Sequence, residues 1–299
     1  MYSGLISLIS PEIVKVNELM KHHTTFEIGG PVDLLILPRN TSEIKLVVSY
    51  CQQNSLPLLV FGNGSNILVR DKGIRGVAIK LGNNLKETHI EGVEIYAQAG
   101  VRLSELARQA ANHSLSGLEF AEGIPGSLGG AVVMNAGAYD GEMKDVVWEV
   151  EAINPSGEVR IFPSQDIGFD YRKTHFQHNG FIIVSARMRL KPGNSEEIKA
   201  KMKGYSRRRR ENQPLEYPSA GSVFKRPPGL FVGPMVEELG LKGYRIGGAE
   251  VSTKHGGFII NTGNARADDV LDLIKWIQKA AKEKFGVDLH PEIRIVGER

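Results

Sequence analysis

Gly123-Ile-Pro-Gly-Ser-Leu-Gly-Gly-Ala-Val-Val-Met-Asn-Ala-Gly-Ala-Tyr139 is the stretch on which the reading of this chain turns. Seven glycines fall among the 25 residues from Gly117 to Gly141, and no Lys or Arg stands between Arg108 and Lys144. Glycine adopts left-handed backbone and lets main-chain N–H groups approach a ligand closely. Such a segment can therefore hold a phosphate or pyrophosphate without a cationic side chain. The same composition suits a turn packed so tightly that no side chain fits. Composition alone leaves these two readings level.

Working outward, a second cluster, Phe61-Gly-Asn-Gly-Ser-Asn-Ile-Leu-Val69, lies between two expected strands. It is similar to the opening of a dinucleotide fingerprint, but Ile67 stands where a third Gly or Ala is required. Gly82 also occupies the approximate place of the ribose-binding acid, so the Rossmann reading fails. No Gly-Lys dipeptide occurs anywhere in the chain, which excludes a P-loop nucleotide site.

The flanking sequence alternates helical and strand patterns. Ile44, Val47, Val48 and Cys51 predict a helix over 42–53, followed by strands over 57–61, 66–69, 77–81 and 93–99, with a helix over 104–112 between later elements. Pro155, Ser156 and Gly157 predict a hairpin between strands 148–154 and 158–162, and 181–190 reads as a long strand. A charged helix over 195–212 carries Arg207 to Arg210 and is stopped by Pro214 and Pro218, the best candidate for a domain boundary. A short helix near Val236, strands near Ile246 and Ile259, and a helix over 267–285 with Val270, Leu273, Ile274 and Ile277 on one face complete a mixed α and β pattern.

With 299 residues the chain is long enough for about two domains. It is 41% hydrophobic and 24% charged, as an ordinary globular protein is. A net charge of +3 gives no broad attraction to nucleic acid or to anionic membrane. The single Cys51 excludes an internal disulfide framework, a four-cysteine zinc site and a cysteine-ligated iron–sulfur cluster. The eight histidines show no metal-ligand spacing, so no metal is expected. No window is apolar enough for a membrane span, and the opening residues lack a secretory pattern, so a cytoplasmic protein is expected.

Five segments together carry a resemblance. They are His22-His-Thr-Thr-Phe-Glu-Ile-Gly-Gly-Pro31, Phe61 to Val69, Gly123 to Tyr139, Ser219-Ala-Gly-Ser-Val-Phe-Lys225 and Pro291-Glu-Ile-Arg294. In this order and spacing they resemble the UDP-N-acetylenolpyruvoylglucosamine reductase family across nearly the whole chain. The resemblance implies an α+β protein with an FAD-binding fold of the vanillyl-alcohol-oxidase (PCMH) type. Two FAD-binding subdomains would cover 1–85, joined by the tail 288–299, and 86–205, with a substrate domain over 206–287. It implies non-covalent FAD, NADPH as hydride donor, and reduction of UDP-N-acetylglucosamine enolpyruvate to UDP-N-acetylmuramate in bacterial peptidoglycan synthesis. A monomer or weak oligomer is expected.

The same resemblance assigns residues. FAD contacts fall on Gly62, Asn63, Gly64, Ser65, Asn66, Gly123, Pro125, Gly126, Ser127, Gly129, Gly130, Asn135, Gly137 and Tyr139. Ser222 maps onto the proton donor, although as a bare residue it reads as a turn former. Arg172, in Tyr171-Arg-Lys-Thr-His-Phe176, maps onto the arginine that grips the substrate carboxylate, a task suited to a planar guanidinium. Glu292, in an expected strand with Ile293 and Ile295 alternating around Arg294, is placed by the resemblance beside that carboxylate. Two adjacent carboxylates cannot both stay charged cheaply, so Glu292 is expected to hold or share a proton in turnover.

Lys225 and Arg226 suit the substrate diphosphate or carboxylate, and Gln213, Tyr244 and His255 suit the uridine or sugar. Consecutive charges on a helix point in different directions, so most of Arg207 to Arg210 is expected in solvent. Only 50 positions separate Arg172 from Ser222, as in the shorter variant of the family, so no lid tyrosine is assigned. The competing readings are an alcohol or amine oxidase of the same fold with covalent flavin, and a nucleic-acid module centred on the arginine run.

Overall fold

The computed structural model describes residues 2–82 and 84–299. Seven α-helices are placed among them: α1 (Ser3–Leu8), α2 (Thr41–Gln53), α3 (Leu103–Asn112), α4 (Leu128–Val133), α5 (Ser195–Asn212), α6 (Val232–Glu238) and α7 (Ala267–Phe285). The chain divides into two compact units. The first holds residues 1–16, 34–63 and 76–209, and the second 17–33, 64–75 and 210–299.

The first unit is built on an antiparallel five-stranded sheet. Its strands run Val159–Pro163, Val147–Ile153, Ile182–Arg189, Glu94–Gln98 and Thr88–Glu91 in spatial order. The hairpin predicted from Pro155 to Gly157 is present. Asn154 Oδ1 accepts the Glu158 amide at 2.9 Å and Gly157 sits at φ +87°, a left-handed position that glycine takes without strain. A parallel pair, Leu58–Phe61 with Ile74–Lys80, aligns Leu58 with Val77 and lies in a four-stranded sheet. Helix α2 begins where Asn40 Oδ1 accepts the Glu43 amide at 3.0 Å, and it buries Ile44, Val47, Val48 and Cys51, the face read from sequence. Burial pushes the Cys51 thiol up to about 11.

In the second unit an antiparallel sheet runs Ser219–Ser222, Phe258–Asn261, Ala249–Val251 and Arg245–Ile246. Helix α7 covers it and buries Val270, Leu273, Ile274 and Ile277, as its spacing predicts, together with Phe26, Leu68, Val223 and Phe224 in one core. The Asp71 carboxylate accepts the Ala267 and Asp268 amides at 2.9 and 3.2 Å, satisfying the first turn of α7 with a negative charge. Gly286, at φ +69°, ends the helix.

Three readings need correction. The strand expected over 77–81 is Ile74–Lys80, because the Gly73 turn at φ +81° lets the ladder start three residues sooner. The strands Val14–Leu19 and Pro31–Ile36 lacked clear alternation and were not anticipated. Glu292 lies outside a strand. The last ladder is Arg294–Val296 against Ile67–Val69, and it cannot reach residue 292, whose N–H and C=O are bonded elsewhere.

Among the described residues no helix is long and apolar enough to cross a membrane, and no cluster of His, Cys, Asp or Glu could hold a metal ion.

Candidate functional site

In the first unit the glycine-rich run is held from behind. The Leu128 and Gly129 amides donate to Val101 O and Ala99 O at 2.8 and 2.9 Å. A Cβ on Gly129 would lie 2.9 Å from Ala99 Cβ, and one on Gly137 would lie 2.6 Å from Glu142 Cβ. Tight packing alone accounts for these two glycines. Gly130 differs, being exposed, with Ser127 Oγ 3.7 Å from the place of its missing Cβ. Pro125 is exposed and Gly126 half-buried beside it.

Ser127 is the telling residue. It is 2% exposed, and its hydroxyl has no hydrogen-bond partner among the described residues. A Cβ on Gly62 would strike that hydroxyl, so the two glycine-rich clusters face each other across a gap that a side chain would fill. A buried hydroxyl left without a partner costs about 1–3 kcal/mol. This orphan donor beside a glycine cradle fits the phosphate-bearing part of a dinucleotide, and so fits FAD. A Cβ on Gly82 would strike Asn63 Oδ1, which bars an acidic side chain where a Rossmann ribose acid would stand.

Asn135 is fully buried at φ +41°. Its Nδ2 donates to Glu142 Oε2 at 2.9 Å and to Asp170 O at 3.0 Å, and its Oδ1 accepts the Lys144 amide at 3.0 Å. The side chain is committed to the protein, and it fixes the turn that carries Gly137 and Tyr139. Arg172 reaches the same turn. Its Nη2 donates to Gly137 O at 2.8 Å and Nη1 to Asn135 O at 3.4 Å, while its guanidinium lies 5.2 Å from the Tyr171 ring centroid. Arg172 also sits at φ +52°, a strained backbone for a non-glycine residue and of the kind that clusters at working sites.

Of the arginine run, Arg207, Arg208 and Arg210 are exposed, as expected. Arg209 departs from that reading and bonds to Gly123 O. Only the register of α5 against the glycine turn separates it from its neighbours, a property that the local sequence does not carry.

In the second unit Ser222 ends the strand Ser219–Ser222, which is kinked by Gly221 at φ +78°. Its hydroxyl lies 3.5 Å from Phe224 O and 3.5 Å from where a Gly257 Cβ would be. The Glu292 amide donates to Val223 O at 2.7 Å, and the Glu292 carbonyl accepts Asn66 Nδ2 at 3.2 Å. The Lys225 amide donates to His290 O at 2.9 Å. Ser222, Lys225, Glu292 and Asn66 are thus tied into one corner by main-chain bonds between segments far apart in sequence.

A strap at His23 to Phe26, whose sequence signalled family but no role, joins that corner to the Gly64 turn. Thr25 donates its amide to Gly64 O at 3.1 Å and its hydroxyl to Ser219 O at 2.7 Å. Gly64, at φ +68°, packs against His23 O, which any Cβ would strike.

His255 is half-buried, its Nδ1 accepting the Gly257 amide at 3.0 Å. Burial draws its pKa below the ordinary histidine value, and Lys242 acts in the same sense against an opposing backbone hydrogen bond. Arg226 is exposed, with its guanidinium 4.3 Å from the Phe231 ring centroid. Tyr244 stacks on Trp276 with centroids 6.1 Å apart, both rings open to solvent. Gln213 is half-buried just beyond α5, and Ser65 is half-buried in the Gly64 turn.

Residues 32–162 match the FAD binding domain family. Residues 213–296 match the family described as UDP-N-acetylenolpyruvoylglucosamine reductase, C-terminal domain. A UDP-N-acetylenolpyruvoylglucosamine reductase from Syntrophomonas wolfei is 59% identical over 100% of both chains. One from Clostridioides difficile is 46% identical over 99% of this chain and 98% of its own. The crystal structure of the enzyme of that name from Thermus caldophilus superposes with a TM-score of 0.83 at 38% identity, covering 95% of this chain and 100% of its own. A glucose dehydrogenase, Phl p 4.0202, matches 64% of this chain and 44% of its own at 16% identity and a TM-score of 0.50, which speaks to the fold alone. The α+β architecture is therefore the PCMH-type FAD-binding fold with an added carboxy-terminal domain, and the chain belongs to the UDP-N-acetylenolpyruvoylglucosamine reductase family.

Proposed function

We infer that the protein is an NADPH-dependent flavoenzyme that reduces the enolpyruvyl group of UDP-N-acetylglucosamine enolpyruvate to UDP-N-acetylmuramate, a step in making peptidoglycan precursors. The observation that carries the site assignment is the bond from the Glu292 amide to Val223 O, which fixes Glu292 beside the residue that follows Ser222.

Bound FAD would supply the hydride-transfer chemistry between NADPH and C3 of the enolpyruvyl group. Gly62, Asn63, Gly64, Ser65, Asn66, Gly123, Pro125, Gly126, Ser127, Gly129, Gly130, Asn135, Gly137 and Tyr139 would hold it. Ser127 offers its unpartnered hydroxyl as a donor, and Asn135 acts by fixing the turn. Residues 1–85 with 288–299, and 86–205, form the two FAD-binding subdomains, which also supply Glu292 and Arg172, and 206–287 form the substrate domain.

An enol ether accepts hydride only if its conjugated carboxylate takes up the charge that develops. Arg172 presents two N–H groups to that carboxylate and stabilises the charge as it grows. Glu292, protonated, stands beside the carboxylate without adding a second negative charge. The Ser222 hydroxyl then delivers a proton to C2 from one face and fixes the stereochemistry. A serine hydroxyl is a weak acid, but the carbanion-like C2 is a strong base. Lys225 and Arg226 contact the diphosphate, and Gln213, Tyr244 and His255 contact the uridine or sugar. The protein works in the cytoplasm as a monomer or weak oligomer, with no nucleic-acid or membrane partner.

The test is spectroscopic. The purified protein should be yellow, bleach with NADPH in the absence of oxygen, and regain colour on addition of the enolpyruvyl substrate. Acid precipitation should leave a colourless pellet, whereas flavin retained in the pellet would favour a covalent oxidase. A folded, colourless chain that takes up no FAD would overturn the assignment.

A further inference from the structure

Arg209 is set apart from the arginines around it. Its Nη1 donates to Gly123 O at 2.7 Å, its Cδ lies 3.0 Å from where a Gly123 Cβ would be, and its Nε is buried without a partner among the described residues. Burial draws its pKa down, with the Tyr139 phenol and the Glu122 carboxylate acting in the opposite sense. A guanidinium stays charged in a protein, and a charge-assisted bond away from water is stronger than a neutral one.

One turn earlier on the same face of α5, Tyr205 lies flat on Tyr139, with ring centroids 4.2 Å apart and planes 4° from parallel. The Tyr139 hydroxyl donates to Tyr205 O at 3.1 Å. One helix face therefore reaches two turns that are 16 residues apart in sequence. The second turn needs holding, with Tyr139 at φ +53° and Asp140 at φ +66°, whereas Gly123 takes φ +80° without strain. Non-glycine residues keep such backbone only where their surroundings over-determine it.

We propose that Tyr205 and Arg209 are positioning residues with which α5 clamps the Gly123 and Tyr139 turns in the conformation that takes up FAD. They set FAD affinity without touching the reacting atoms. The inference rests on the assignment of those two turns to FAD.

The experiment compares the full-length chain with its Arg209→Met, Arg209→Lys, Tyr205→Leu and Arg208→Met variants. FAD release on dilution of the holoenzyme is followed by flavin fluorescence, and amide hydrogen exchange is followed with and without FAD. Arg209→Met and Tyr205→Leu are each expected to weaken FAD binding about tenfold, equivalent to about 1.4 kcal/mol. Both should also speed exchange at 121–127 and 137–141 before any FAD is present, and Arg208→Met should do neither. Weaker FAD binding with unchanged exchange in the FAD-free chain would overturn the proposal in favour of direct contact between Arg209 and the cofactor.

Unchanged binding, or an equal loss in Arg208→Met, would also overturn it. Arg209→Lys keeps the charge and one donor, so it covers the case in which Arg209→Met does not fold. It should loosen the same turns to a smaller degree, and turns as protected as in the parent would refute the clamp. Gly62→Val separates the two levels of argument. If it loses FAD while Arg209→Met does not, the clamp alone fails. If neither loses FAD, the assignment of the turns fails with it.

Discussion

The two units reach order around their proposed functional residues by different means. In the first, Gly129, Gly137 and Gly62 are glycine because Ala99, Glu142 and Ser127 stand where a Cβ would go. Of the charged and polar residues there, Arg172 donates to the Asn135 and Gly137 carbonyls, and Asn135 bonds Glu142, Asp170 O and the Lys144 amide. In the second, main-chain bonds join Val223, Lys225, His290 and Glu292, and Asn66 and Thr25 tie the neighbouring strands to them. The first arrangement makes a surface of fixed shape with few side chains in it. The second presents the side chains proposed to react from a braced backbone. A region that holds a cofactor needs the first, and a region that moves a proton needs the second.

On this division of labour, substitutions in the two units should separate holding from reacting, except at Arg172, the first-unit residue proposed to act on substrate. The largest effect is expected from Ser222→Ala. Reoxidation of reduced flavin by the enolpyruvyl substrate should slow by roughly 10²–10⁴-fold, with reduction by NADPH nearly intact. Stopped-flow traces of each half-reaction decide this, and equal damage to both would break the comparison.

Arg172→Lys keeps the charge and the left-handed backbone but loses the fork. Reoxidation should fall on the order of 10²-fold with FAD still bound. Parent-like reoxidation would remove Arg172 from the catalytic set.

Asn135→Ala tests holding. It removes a partner from Glu142, Asp170 O and the Lys144 amide and places alanine at φ +41°, so a loss of about 2 kcal/mol is expected, with FAD content falling alongside Tm. A stable variant with full FAD would show that this turn needs no such brace.

The smallest effect concerns pH. The folded-state pKa of His255 is lowered, so its neutral form stabilises the fold above the ordinary histidine value, and that contribution is lost as pH falls through about 6.5 and below. His255→Asn, which can still accept the Gly257 amide, should show a shallower drop in Tm between pH 8 and 5.5. Parallel curves would contradict the assigned burial.

Much of the architecture was legible. The apolar faces of α2 and α7, the hairpin at Pro155 to Gly157 and the full span of α5 follow from periodicity, caps and turn residues, which act within a few positions. The five motifs in order identified the family. The strands Val14–Leu19 and Pro31–Ile36 were missed because their residues do not alternate cleanly. Glu292 was misplaced into a strand because its neighbours alternate, although its own amide and carbonyl are taken by Val223 and Asn66.

The glycine run shows most clearly where local reading stops. Its composition called for either a ligand or tight packing, and the fold uses both: Gly129 and Gly137 are packed from behind, while Ser127 keeps a buried hydroxyl unpaired.

By itself the sequence determined a mixed α and β pattern and excluded the Rossmann and P-loop motifs, from composition, short-range periodicity and motif spacing. The resemblance of its five motifs gave the family, and with it the α+β class and the residues expected to bind flavin and move a proton. Tertiary structure alone decided which of four consecutive arginines leaves solvent, which glycines are filled from behind, and that Glu292 is fastened beside Val223. Each of these depends on where a distant segment comes to rest, and that is set by packing across the whole unit.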